Sequence, residues 1–112
     1  MENQLHLILK GKWYDMIASG VKPEEYRDLT EYWIKRLLIL TKDGEKICHY
    51  FGRLEQERII NFKDYSHVCF HRGYTSTTMI FEIEGFTIGK GRPEWGAPED
   101  KEVFIIKLGK QI

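Results

Sequence analysis

Thr77-Thr-Met-Ile-Phe-Glu-Ile-Glu-Gly-Phe-Thr-Ile88 is the stretch on which the fold turns. It is rich in β-branched and aromatic residues, which fit a pleated, half-buried surface, so it predicts a strand with a bend at Gly85. Working outward, Tyr65 to His71 alternates between apolar and polar residues and predicts a strand stopped at Gly73. On the other side, Glu102 to Leu108 is almost continuously apolar and predicts a strand buried on both faces. Between them Gly89-Lys-Gly-Arg-Pro-Glu-Trp-Gly-Ala-Pro98 has too many glycines and prolines for a regular element and predicts a long loop.

Toward the start of the chain, Gln4-Leu-His-Leu-Ile-Leu9 predicts a strand that Gly11 ends. Trp13, Met16 and Ile17 follow helical spacing, and Ser19-Gly20 offers a helix stop, so residues 12–19 form a short helix. Residues 21–28 contain Pro23, which disfavours helix at Lys22, and are expected to be extended. Thr30 caps a second helix over residues 31–38, with Trp33, Leu37 and Leu38 on its buried side. Leu37-Leu-Ile-Leu40 is equally compatible with a strand. Lys42-Asp-Gly-Glu45 is a turn signal, and residues 46–63 stay mixed strand and loop. Short helices early and closely spaced strands late define a small α+β domain with a mostly antiparallel, barrel-like sheet.

Composition narrows the functions available. The 112 residues are 42% hydrophobic, 30% charged and 13% aromatic, which excludes disorder and fits one domain spanning residues 1–112. Seventeen basic residues balance seventeen acidic ones, so the chain is not a generic polyanion binder, although a local basic patch is allowed. No apolar run approaches a membrane span, and Met1-Glu-Asn-Gln4 has no leader character, so a cytoplasmic protein is expected. Cys48 and Cys69 are then expected to be thiols.

Three groups of residues could carry chemistry. The first is Gly20-Val-Lys-Pro-Glu-Glu-Tyr-Arg27, either a solvated connector or a site. If extended, it sets Glu25 and Arg27 on one face and Glu24, Tyr26 and Asp28 on the other. Glu82 sits in an apolar strand and therefore either faces water beside Glu84 or has a partner; the apolar residues on both sides of it make a pairing with Lys22 or Arg27 the expectation. The second is His67-Val-Cys69-Phe-His71, whose polar side chains share a strand face. The spacing matches no common zinc pattern; a sheet face with satisfied imidazoles is the simpler account, and no metal or cofactor is assigned. The third mixes Arg72, Tyr74, Lys90, Arg92 and Trp95, suiting a stacked base and a phosphate. Trp95 is either a lid over a pocket or, as the favoured reading, a plug at the edge of the core.

The pattern Gly20-x-Lys22-x-x-Glu25-x-Arg27, following a strand and a short helix, resembles the signature of ASCH domains, small β-barrels of the wider PUA-like fold often linked to RNA. Met79-Ile-Phe-Glu82-Ile resembles the family's acidic strand, and residues 103–108 its last strand. The resemblance follows the order of elements along nearly the whole chain, but its specific part is confined to residues 20–27. The region from Tyr65 to Leu108 is similar to stand-alone ASCH-like proteins of bacteria and phages. The resemblance implies a polar cleft at the barrel mouth and a nucleoside or RNA partner. Some bacterial relatives hydrolyse N(4)-acetylcytidine with a Lys, a Thr three residues later and a Glu. By position these fall on Lys22, Glu25 and Glu82, with Glu25 replacing the hydroxyl residue. Two carboxylates near Lys22 would favour its ammonium, whereas a catalytic lysine must be neutral. Two expectations therefore stand: an amidohydrolase using Lys22, Glu25 and Glu82, and a non-catalytic module binding RNA or a nucleotide through Arg27, Tyr26, Arg72, Tyr74, Arg92 and Trp95.

Overall fold

The computed structural model describes residues 3–112; Met1 and Glu2, on which part of the leader reading rests, lie outside the described residues. The chain folds as two compact units, one made of the residues up to Tyr26 together with Tyr65–Ile112, the other of Arg27–Asp64.

The first unit is built on a five-stranded sheet of order β1-β5-β6-β7-β2 that curls through 215° into half a barrel. β1 (Gln4–Leu9) buries Leu5, Leu7 and Leu9 and turns His6 and Ile8 outward, as its alternation predicts. α1 (Gly11–Ala18) buries Tyr14 and Ile17. It ends at Ser19 and Gly20, whose φ of 85° is the left-handed turn that glycine adopts without strain. β2 (Glu24–Arg27) follows, and its residue Arg27 already belongs to the second unit.

β5 (His67–Arg72) buries Val68, Cys69 and Phe70 in succession. β6 (Thr78–Lys90) is longer than its sequence indicated, and its pairing slips between Phe81 and Gly85, where the bend was expected. β7 (Glu102–Gln111) buries Val103, Phe104, Ile105 and Ile106 consecutively. Each such side chain contributes roughly 1.5–3 kcal/mol on leaving water, and this strand anchors the unit. β5–β6 and β6–β7 are antiparallel and β1–β5 is parallel, so the sheet is mixed, with antiparallel pairing the commoner kind among these three pairs. A parallel pair needs a long crossover, and residues 10–66 supply it. The expected loop is shorter than residues 89–98, because β6 runs on to Lys90 and a 3-10 turn forms at Pro93–Trp95.

The second unit contains α2 (Glu31–Leu37), β3 (Leu38–Leu40), α3 (Lys42–Phe51), a 3-10 turn (Gln56–Arg58) and β4 (Ile59–Phe62). Thr30 caps α2 as expected, its hydroxyl accepting the Trp33 N–H at 3.4 Å. The helix buries Ile34 and Leu37, while Trp33 is half-buried and Leu38 is buried in β3. β3 and β4 pair antiparallel, with Leu38 opposite Phe62.

Residues 42–45 are not a turn but the start of α3. Thr41 caps it by accepting the Gly44 N–H at 3.1 Å, and Asp43 and Glu45 favour the positive helix start. Gly44 is there for space: a Cβ on it would stand 2.8 Å from the Arg58 Cβ. Among the described residues, no helix is long and apolar enough to cross a membrane. Cys48 and Cys69 are buried free thiols.

Candidate functional site

The helix stop after α1 sets up the most unusual group in the first unit. After Gly20 the chain doubles back, and the Lys22 N–H donates to the Met16 carbonyl at 3.1 Å. Pro23 is tied to β7 through its carbonyl, which accepts the Leu108 N–H at 3.0 Å. Between these two anchors the Lys22 side chain is driven inward and is only 1% exposed. Its ammonium pairs with Glu25 Oε1 at 3.1 Å and donates a short hydrogen bond to the Trp95 carbonyl. It also lies 4.6 Å from the centre of the Tyr26 ring and 5.5 Å from that of Trp13. Glu25 is buried as well.

Tyr26 donates its hydroxyl to Glu24 Oε1 at 2.7 Å and accepts the Arg92 N–H at 3.1 Å. Burial pushes its phenol well above the ordinary tyrosine range, and the Glu24 acceptor adds to this, so it stays a neutral donor. The covering segment fits because of two glycines. A Cβ at Gly91 would stand 2.5 Å from Tyr26 Cε1, and one at Gly96, where φ is 99°, would stand 3.1 Å from the Trp13 ring.

The neighbours of the ammonium named above, a carboxylate, a carbonyl and two ring faces, all attract a cation, while its burial opposes charge. The group sets an amine donor beside a carboxylate acceptor. It is enclosed rather than open, with the carbonyl of Trp95, at the end of the Pro93–Trp95 turn, seated on the ammonium.

The other expected residues fall elsewhere. Arg92 lies over the Trp95 ring at 4.8 Å, so these two do meet. Trp95 is half-buried against the cluster of Tyr26, Ala97, Val103 and Ile105, which is the plug reading. Arg72 instead grips Asp15 with two hydrogen bonds, at 3.1 and 2.9 Å, and holds that carboxyl below the usual carboxylate range. Tyr74 is 95% exposed. Arg27 lies in the second unit, 5.1 Å over the Trp33 ring. Glu82 corrects an expectation: it does not join the buried group but is exposed on β6, opposite His67 in β5. The apolar residues flanking it belong to the other face or to the slipped register, so an apolar neighbourhood in sequence did not mean burial.

The face of β5 bearing His67, Cys69 and His71 exists, but the group that assembles there differs by one residue. His67 bonds through Nδ1 to the Ser66 hydroxyl at 2.8 Å. His6 of β1, which the sequence reading passed over, lies opposite Cys69 in the parallel ladder. Its Nδ1 is 3.0 Å from His71 Nε2, and Cys69 Sγ is 3.7 Å from that same nitrogen. Burial pushes the Cys69 thiol up, against a hydrogen bond with Thr78. The alternation of residues 4–9 already put His6 on the polar face; its partner strand had no sequence signal.

Within the second unit a cavity of about 480 Å³ has Leu38, Leu40 and Cys48 in its wall and Lys35, Glu45 and His49 among its polar lining. Its volume suits a small ligand. Burial pushes the Cys48 thiol up, so it is no ready nucleophile. Comparison with known proteins returns no matching family model, no matching curated protein and no matching solved structure.

Proposed function

We propose that this chain is a nucleoside-binding module of the ASCH, PUA-like type, in which Lys22 and Glu25 hold the polar edge of a pyrimidine base. The observation supporting this is the buried Lys22–Glu25 pair beside the rings of Trp13 and Tyr26. As a source of stability such a pair is weak, because desolvation offsets most of the attraction and apolar side chains of similar volume would serve as well. As a recognition element it is well matched. An ammonium beside a carboxylate complements the carbonyl and N–H of a pyrimidine edge, and the aromatic faces suit stacking.

In the closed form the Trp95 carbonyl takes the position on Lys22 that a ligand carbonyl would take. Binding then requires the segment around Gly91 and Gly96 to swing off the rings. The resemblance to amidohydrolases makes acylated cytidine a ligand class, but turnover is disfavoured. Attack on an amide requires the free amine, and the ion pair with Glu25 at 3.1 Å works against releasing it.

The test is a nucleoside titration followed by NMR, using cytidine, N(4)-acetylcytidine, uridine and adenosine. The indole N–H signals of the chain's three tryptophans serve as reporters. The expected result is a saturable shift of the Trp13 and Trp95 signals with pyrimidine nucleosides, lost in Lys22→Met/Glu25→Leu, with no cytidine released on chromatography. Absence of saturable binding overturns the proposal. Release of cytidine that Lys22→Met abolishes would establish the hydrolase instead.

A further inference from the structure

We propose that His6, Cys69 and His71 form a zinc-binding site with an open fourth position. The proposal is independent of the nucleoside reading. The three residues stand on two adjacent strands of the first unit, where the parallel register sets His6 beside Cys69 and the strand period brings His71 onto the same face. Their donor atoms all lie within 4.8 Å of one another.

Zinc binds imidazole nitrogen at about 2.0–2.1 Å and thiolate sulfur at about 2.3 Å, so a tetrahedral centre has N···N edges of about 3.4 Å and N···S edges of about 3.6 Å. The separations here are 3.0 Å for His6 Nδ1 to His71 Nε2 and 3.7 Å for Cys69 Sγ to His71 Nε2. Parting the two imidazoles by a few tenths of an ångström and closing the third edge, from His6 to Cys69, which is at most 4.8 Å, brings the three donors to tetrahedral spacing. Two imidazoles and one thiol are borderline-to-soft donors, which select zinc over magnesium or calcium.

Burial supports the same arrangement. Cys69 is buried, His71 half-buried and His6 exposed, so the donors form a floor and a wall with one side open to water. Three protein ligands with an open side is the pattern of zinc sites that take water or a substrate atom as the fourth ligand. Thr78, opposite His71 on β6, hydrogen-bonds Cys69 and would steady the sulfur from the outer shell. Zinc binding sends the thiol proton to solvent and leaves both imidazoles neutral.

The competing account is a hydrogen bond between two imidazoles over a buried thiol. Untagged protein titrated with Co²⁺, and then with Zn²⁺ as competitor, separates the two. The expected result is one equivalent of cobalt bound, with visible bands of four-coordinate intensity and a near-ultraviolet thiolate-to-cobalt band, all abolished by zinc. Cys69→Ala should remove the thiolate band. His6→Ala and His71→Ala should each weaken binding by more than the ~10–100-fold that loss of an outer-shell partner causes. His67→Ala should leave it unchanged. If Cys69→Ala does not fold, the two histidine variants still decide, since neither imidazole is fully buried. No cobalt binding, binding without a thiolate band, or binding that survives both histidine variants overturns the site.

Discussion

Two polar groups sit at opposite ends of the strand order in the same curled sheet, and they are built on opposite terms. At the β2 end, Lys22 and Glu25 are buried charges whose needs are met inside the chain by each other, a carbonyl and two rings. At the β1–β5 end, His6, Cys69 and His71 carry metal-ligating atoms, lie close together and open toward water. A closed group must open before it can bind anything. An open group of donors is ready to bind but does less to hold the fold. The contrast teaches that burial of charge and convergence of donors are separate signals of function, with different consequences for stability.

Breaking the closed group should have the largest effect. Lys22→Met leaves the Glu25 carboxylate buried beside no cation, and urea melts should show a loss of about 3–5 kcal/mol. Lys22→Met/Glu25→Leu should recover most of it, because no buried charge remains. A single-variant loss under ~1 kcal/mol would mean that water reaches the group and the contrast fails.

Filling the open group comes next. At a hundredfold excess of free zinc over its dissociation constant, the folded state should gain about 2.7 kcal/mol in denaturant melts, reversed by a chelator and absent in His71→Ala. The cover of the closed group can also be tested. A methyl at Gly91 has no room against Tyr26 and Ala97, so Gly91→Ala should cost about 1–3 kcal/mol. By loosening the cover it should also speed proton exchange at the Trp13 indole. A neutral Gly91→Ala would show that the segment adapts without strain. The smallest effect belongs to Glu82, which lies in neither group. Glu82→Gln should change stability by less than ~0.5 kcal/mol and leave both nucleoside and zinc binding alone. A larger change would return Glu82 to the site.

Legibility followed the range of the forces involved. Residues 4–9 and the core of residues 102–108 declare themselves as strands because alternation and continuous apolarity act within the element. Lys22 and Glu25 stood out only through the resemblance of residues 20–27 to a family signature, since a charged stretch beside a helix end reads equally well as a solvated connector, and their enclosure had no sequence signal. α3 was misread because Lys42-Asp-Gly-Glu45 carries turn residues. The Thr41 cap and the close approach of Arg58, which make a helix with Gly44 workable there, involve neighbours outside that tetrapeptide.

The sequence by itself determined the extended segments of the first unit, the first helix with its glycine stop and the polar faces that carry His6, Cys69 and His71. Those features depend on the side-chain period and backbone freedom of a few adjacent residues. Only the tertiary structure decided that β1 pairs in parallel with β5 so that His6 meets Cys69, and that the Trp95 carbonyl reaches Lys22 across 73 positions. Strand partner, register and loop closure are chosen by burial of the whole apolar set at once, and no local pattern records that choice.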